Sequence, residues 1–233
     1  MRERVADTRN KIVKAALKVN RDPQETKLIP VSKTHPVSVL REAMAAGITC
    51  FGENKVQEAE RKIEELGRDG LEWHLIGHLQ TNKVRRAVKL FDVIHSLDSV
   101  ELAQRLERIC KEEGRESLPV LVEVDLAKEE TKSGIPESEL LKLVEFLGSC
   151  KYLKFCGLMI VPPYFENAEN VRPYFRRLRE IRDELRGENA FAAGTGELSM
   201  GMTHDFEIAI EEGATMIRVG TAIFGEREVS PAS

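Results

Sequence analysis

Eight times along the 233-residue sequence a short β-branched run gives way to a longer stretch with apolar residues at helical spacing. The runs fall at residues 28–31, 48–51, 73–76, 93–95, 120–124, 155–161, 197–200 and 216–219. Amphipathic patterns, apolar at i, i+3, i+4 and i+7, lie between most of them, as at 37–46, 55–66, 100–113, 137–147 and 171–185. Strand–helix alternation implies parallel strands joined by right-handed crossovers. Eight such units fit a closed (β/α)8 barrel, the TIM barrel, better than an open doubly wound sheet, because that barrel takes roughly 200 to 250 residues. Residues 2–20 remain as an extra N-terminal helix, expected to cover the barrel floor, and residues 228–233 as a frayed tail. No Pro-, Gly- or Ser-rich linker divides the chain, so residues 1–233 read as a single α/β domain.

Composition narrows the function classes. With 35 basic and 39 acidic residues the net charge is −4, which gives no basic field for a nucleic acid. No apolar run approaches the roughly 18 residues of a membrane helix. The opening residues alternate charge with apolar side chains and lack the apolar core of a signal peptide. Cys50, Cys110, Cys150 and Cys156 form no CxxC pair and sit beside apolar neighbours, as buried thiols of a reducing compartment do. The expectation is a cytoplasmic protein, and a monomer, since no long apolar surface segment stands out.

In a barrel of this kind function sits at the carboxyl ends of the strands. The first run ends Val31-Ser32-Lys33-Thr34, and period-two alternation places Ile29, Val31 and Lys33 on one face. Lys33 either projects inward, where desolvation lowers an amine's pKa and arms it for Schiff-base chemistry, or points into solvent. After the second run, Glu53 and Asn54 either cap the next helix or face the site. His74 and His78 look like a metal pair, but four residues along a strand separate them by about 13 Å, so no metal site is expected there. His204 and Asp205 open a helix, and His95 reads as a satisfied core residue.

The last two runs carry the strongest signal. Loops after the seventh and eighth strands frequently build a phosphate site in these barrels. Gly220 and Thr221 offer backbone N–H groups and a hydroxyl for an anion, and Ser199 adds a second hydroxyl; the alternative is a tight turn. Arg218 shares a face with Gly220, and a cation inside a barrel needs an acceptor. That acceptor is either Glu123 or Asp125 across the barrel or an aromatic ring nitrogen of a ligand.

Taken together, the blocks Val31-Ser32-Lys33-Thr34, Phe51-Gly52-Glu53-Asn54-Lys55-Val56-Gln57-Glu58 and Trp73-His74-Leu75-Ile76-Gly77-His78-Leu79-Gln80-Thr81-Asn82-Lys83 form an ordered set. Lys132-Ser133-Gly134-Ile135, Gly157-Leu158-Met159, Leu198-Ser199-Met200-Gly201-Met202 and Arg218-Val219-Gly220-Thr221-Ala222-Ile223-Phe224-Gly225 continue it. With these blocks the chain resembles the YggS/PROSC family of pyridoxal phosphate homeostasis proteins along nearly its whole length. The resemblance implies a barrel similar to the N-terminal domain of alanine racemase, of the fold type III class, binding pyridoxal 5′-phosphate (PLP). It implies that Lys33 forms a Schiff base with the cofactor, that Ser199, Gly220 and Thr221 hold its phosphate, and that Arg218 faces the pyridine nitrogen. Asn54 and Met200 are placed near the cofactor.

An Arg at that nitrogen disfavours its protonation and weakens the ring as an electron sink. Racemases work with such an Arg but need a second acid or base on the opposite face. In alanine racemases that group is a Tyr from another domain and subunit, for which this chain has no residues to spare. The expected function is therefore a non-catalytic PLP carrier or regulator in vitamin B6 homeostasis, with PLP-dependent apoenzymes as recipients. The alternatives are a PLP-dependent amino-acid racemase or lyase, and a cofactor-free Schiff-base aldolase.

Overall fold

The computed structural model describes residues 1–127, 133–192, 194 and 196–226. The expected tail at 228–233 and Lys132 lie outside them. Eight strands form the ring: β1 (Lys27–Pro30), β2 (Cys50–Glu53), β3 (Glu72–Leu75), β4 (Val93–Leu97), β5 (Leu118–Asp125), β7 (Leu153–Met159), β8 (Glu197–Ser199) and β9 (Met216–Val219). The two-residue β6 (Ile135–Pro136) pairs with β5 to one side of the ring. Every pairing is parallel, in the order β1-β9-β8-β7-β5-β4-β3-β2. A single bridge between Val31 and Gly52, with the Ser32 N–H donating to Gly52 O at 3.0 Å, nearly closes the barrel.

Outside the strands lie α1 (Arg2–Lys18), α2 (Val37–Ala45), α3 (Val56–Leu66), α4 (Val84–Leu90), α5 (Val100–Glu112), α6 (Glu137–Gly148), α7 (Arg172–Gly187), α8 (Phe206–Glu211) and the one-turn α9 (Thr221–Phe224). Local chemistry sets several of their ends: Ser99 Oγ accepts from the Leu102 N–H to cap α5, and α3 stops at Gly67, whose φ of +78° suits glycine. Alternation along the strands then sorts the side chains. Ile94, Val122, Leu158, Leu198 and Ile217 join the helices in the main core, while Val93, Leu121 and Met159 form a separate apolar cluster. On the strand face of that second cluster lie His95 and Arg218, both buried.

The N-terminal helix departs from expectation. Instead of covering the floor, α1 stands in the outer helix layer, packed on α8 and α9. Its Arg4 crowds Gly225 just past α9, and Arg21, beyond its other end, donates to Ile210 O at 2.7 Å. The cause is the length of α9: four residues cannot cover the wall between β9 and β1, so the buried stripe Val5, Thr8, Ile12, Ala15 and Ala16 fills that place. Among the described residues no helix is long and apolar enough to cross a membrane.

Candidate functional site

The loop after β1 carries Lys33, and it is held from outside the ring. Lys62 of α3, almost fully buried, donates to Ser32 O at 2.7 Å, to Glu53 Oε1 at 2.6 Å and to Glu58 Oε1 at 2.7 Å. Ser32 Oγ donates to Glu53 Oε1 at 2.6 Å, and Glu58 Oε1 accepts the Thr34 N–H at 2.5 Å. Thr34 has a φ of +69°, an uncommon conformation for a β-branched residue. Such strain persists only where surrounding contacts over-determine it, and here it turns the chain directly after Lys33. With Ser32 pinned outward, Lys33 faces inward.

There Lys33 helps wall a cleft of about 240 Å³ at the carboxyl end of the barrel. Val31 and His35 share its side of the wall; Met202, Thr203 and His204, from the loop after β8, stand in the wall with Gly220 and Thr221 at the start of α9. Arg218 also lines it, although the residue is only 3% exposed. Nη1 donates to Ser199 O at 2.7 Å and to Ser199 Oγ at 2.6 Å, and Nη2 donates to Ile160 O at 2.8 Å. An ion pair with Glu123 or Asp125 was one expectation; the guanidinium is bonded instead to carbonyl and hydroxyl oxygens. Glu123 Oε1 accepts from Ser133 Oγ at 3.0 Å, and burial raises its carboxyl pKa. Burial brings Arg218 down to about 10, with Glu123 and Asp205 pulling the other way.

Of the residues expected at the site, Lys33, Arg218, Gly220 and Thr221 meet at this cleft. Ser199 lies beneath it, fully buried, its hydroxyl shared between Arg218 and His95. Met200 is buried in the main core, and Met202 takes the position on the cleft wall. Asn54, half-buried just past β2, is not among the residues of that wall. Sequence reasoning missed Thr203, a hydroxyl on the cleft wall. Its signal was position: four residues past the strand, in the loop where barrels place phosphate contacts.

Below the cleft a line of polar side chains runs through the barrel interior beside the apolar cluster of Val93, Leu121 and Met159. His74 Nδ1 lies 2.8 Å from His95 Nε2, and His95 Nδ1 lies 2.9 Å from Ser199 Oγ. Burial lowers the pKa of His74 and lowers that of His95 well below the ordinary value. The expected core role of His95 holds, with both ring nitrogens engaged. His78 by contrast stands on the exposed rim, its Nδ1 3.1 Å from Asp98.

Comparison with known proteins places the chain. Residues 9–228 match the family described as alanine racemase, N-terminal domain. A pyridoxal phosphate homeostasis protein of Aquifex aeolicus is 46% identical over 226 residues, spanning 97% of this chain and 98% of that protein. The pyridoxal phosphate homeostasis protein of Escherichia coli is 40% identical over 232 residues, spanning 97% of this chain and 96% of its own length. Among solved structures, PipY of Synechococcus elongatus with PLP bound superposes with a TM-score of 0.83 at 40% identity, covering 96% of this chain and 99% of PipY. Alanine racemase from Corynebacterium glutamicum, 16% identical with a TM-score of 0.68 over 63% of its chain, shares the fold. The chain belongs to the alanine racemase N-terminal domain family and, within it, to the pyridoxal phosphate homeostasis proteins.

Proposed function

We propose that this protein binds PLP in the cleft beneath Lys33 and serves in PLP homeostasis as a carrier or regulator. The observation that carries this reading is the convergence of Lys33, Arg218, Gly220 and Thr221 on one cleft from opposite ends of the chain. The relatives named for pyridoxal phosphate homeostasis and the PLP-bound PipY support it.

The residues present fit the group. A Cβ added at Gly220 would come no closer to the chain than 3.6 Å from Val31 O, itself on the cleft wall, so the glycine leaves room for a ligand that its neighbours do not require. Thr203 and Thr221 supply hydroxyls, and the first N–H groups of α9 have no partner within the helix. Three of the five guanidinium N–H bonds of Arg218 go to protein oxygens among the described residues, which leaves two for a pyridine nitrogen. When bound, PLP supplies an aldehyde that condenses reversibly with an amine, releasing water. In this reading Lys33 gives the amine, Gly220, Thr221 and Thr203 hold the phosphate, and Arg218 keeps its proton beside the ring nitrogen. Ser199 and Met200 act from below, Ser199 by bonding Arg218, and Asn54 stands at the rim.

Release to PLP-dependent apoenzymes, a cytoplasmic location and a monomeric state belong to the same proposal. A racemase or lyase would need an acid or base opposite Lys33. His204 lines the cleft, and the ring of the exposed Tyr164 lies 5.4 Å from it. The test is borohydride reduction of the PLP-loaded protein followed by peptide mapping. Label on Lys33, lost in Lys33→Ala, supports the reading; label retained in that variant overturns the assignment. Exchange of an amino-acid α-proton in D2O at about 1 per second or faster would establish the catalytic alternative instead.

A further inference from the structure

We propose that His95, acting through Ser199, is a positioning residue for the Arg218 guanidinium, and that His74 extends it into a hydrogen-bond chain whose single direction is set by the Glu72 carboxylate at the barrel floor. The proposal rests on the reading of Arg218 as the partner of the cofactor's ring nitrogen.

The direction follows from the floor upward. Glu72, the first residue of β3, has its Oε2 2.5 Å from Lys27 Nζ and its Oε1 3.1 Å from His74 Nε2. The second is a contact at ion-pair distance only: His74 Nε2 makes no hydrogen bond to any described residue, and the carboxylate acts on it through its charge. His74 chiefly, then Lys27, holds the Glu72 carboxyl down at about 2, so at neutral pH it is ionised and can only accept. His74 Nε2 therefore carries the proton. A neutral imidazole with its proton on Nε2 has a bare Nδ1, so His95 Nε2, 2.8 Å away, must donate to it. The same logic leaves His95 Nδ1 bare, and Ser199 Oγ donates to it at 2.9 Å. The hydroxyl has then spent its proton, and its lone pairs face the Nη1 donor of Arg218 at 2.6 Å.

Reversing any member sets two donors or two lone pairs face to face. An imidazolium at either histidine is opposed first by burial. His95 further feels His74 from β3, Arg218 from β9 and Lys27 from β1, all disfavouring charge. His74 feels Lys27 in that sense, with Glu72 and Asp92 opposing it. Glu123 from β5 and Asp205 before α8 act on Arg218 itself. The result is a guanidinium locked by three acceptors, one of them oriented by a histidine that does not itself line the cleft.

Two measurements test this. Long-range 15N–1H correlation spectra of the ligand-free protein at pH 7 should show His74 and His95 both neutral with the proton on Nε2. A ring with its proton on Nδ1, or a protonated ring, overturns the chain whether or not the protein binds PLP. In the PLP-loaded protein, His95→Phe and Ser199→Ala should each move the pH midpoint of the cofactor's absorption band by half a unit or more, about a three-fold change in proton affinity. The double variant should move it no further than the larger single change, because both break one path. His95→Gln, whose amide both donates and accepts, should recover at least half of the shift. A His95→Phe titration that superimposes on the parent overturns the proposal, and if that variant does not fold, the tautomer spectra decide it.

Discussion

The Lys62 ammonium lies 2.7 Å from the carbonyl oxygen of Ser32, the residue that precedes Lys33. The same ammonium neutralises Glu53, which is fully buried and has its other oxygen, Oε2, unbonded among the described residues. Lys62→Met would strand that carboxylate, and breaking one side of a buried pair costs about 3–5 kcal/mol. Burial already raises the Glu53 carboxyl, with Lys62 and Ser32 opposing. A carboxyl raised in the fold stabilises it below the unfolded-state value, and that contribution is lost as pH rises through the folded one. The deficit of Lys62→Met relative to the parent should therefore be smaller at pH 4.5 than at pH 8 in urea unfolding, and PLP affinity should fall as the Lys33 loop loosens. A deficit independent of pH would show that Glu53 is not the stranded charge.

Gly157 of β7 pairs with Glu197 of β8, and a Cβ on it would lie 2.1 Å from Glu197 O. Glu197 N at 2.5 Å and Glu197 C at 2.7 Å crowd it as well, and all three atoms are backbone, so none can step aside. Gly157→Ala should open the β7–β8 seam and cost more than about 3 kcal/mol, beyond the ordinary range for overpacking. Gly148→Ala is the control: nothing lies within 4 Å of its added Cβ, and the substitution should stabilise by about 0.4–1 kcal/mol. Thermal melts of the two variants compare them directly.

Burial depresses His74 and His95, so the unfolded chain takes up protons that the fold refuses. Stability from these rings is complete above the unfolded value of about 6.5 and declines as pH falls below it. Each histidine should contribute a slope approaching about 1.4 kcal/mol per pH unit between pH 6 and the folded value. Glu72, held down at about 2, adds its own loss only below about pH 4.3. The prediction is a fall in unfolding free energy as pH drops below about 6.5, flattened in His74→Leu/His95→Leu. Equal slopes in parent and double variant would place the acid sensitivity elsewhere.

The barrel was legible because two periodicities alternate along the chain, and Lys33 was legible by counting in twos from Ile29. What strand counting could not supply is the alignment of one strand with another. His74 and His78 were measured along their own strand, yet the partner of His74 is His95, brought alongside by the pairing of His74 with Val93. The bonding of Ser199 to Arg218 likewise depends on how β8 and β9 are staggered. Between Val120/Phe155 and Leu121/Gly157 the register slips by one residue at Cys156, which no alternation in residues 155–161 betrays. Thr203 sits in a loop without periodicity, and the place of α1 follows from the shortness of α9.

Thr203, in the loop after β8, and Thr221, the first residue of α9, both line the cleft, each adding a hydroxyl where the proposed phosphate would sit. A hydrogen bond to a charged group is worth about 1.5–3 kcal/mol, which is roughly ten- to a hundred-fold in affinity. Valine keeps the shape of threonine and removes only that donor. Thr203→Val and Thr221→Val should therefore each weaken PLP by ten-fold or more while leaving pyridoxal, which lacks the phosphate, within about two-fold of the parent. The cyclisation of pyridoxal onto its own free hydroxyl weighs equally on parent and variant, so the change in the ratio of the two affinities isolates the phosphate arm from Schiff-base formation. Absorbance titrations with the two vitamers measure that ratio. If either variant weakened both ligands equally, its hydroxyl would be shaping the ring pocket or the fold, and the phosphate would have to be held elsewhere in the cleft.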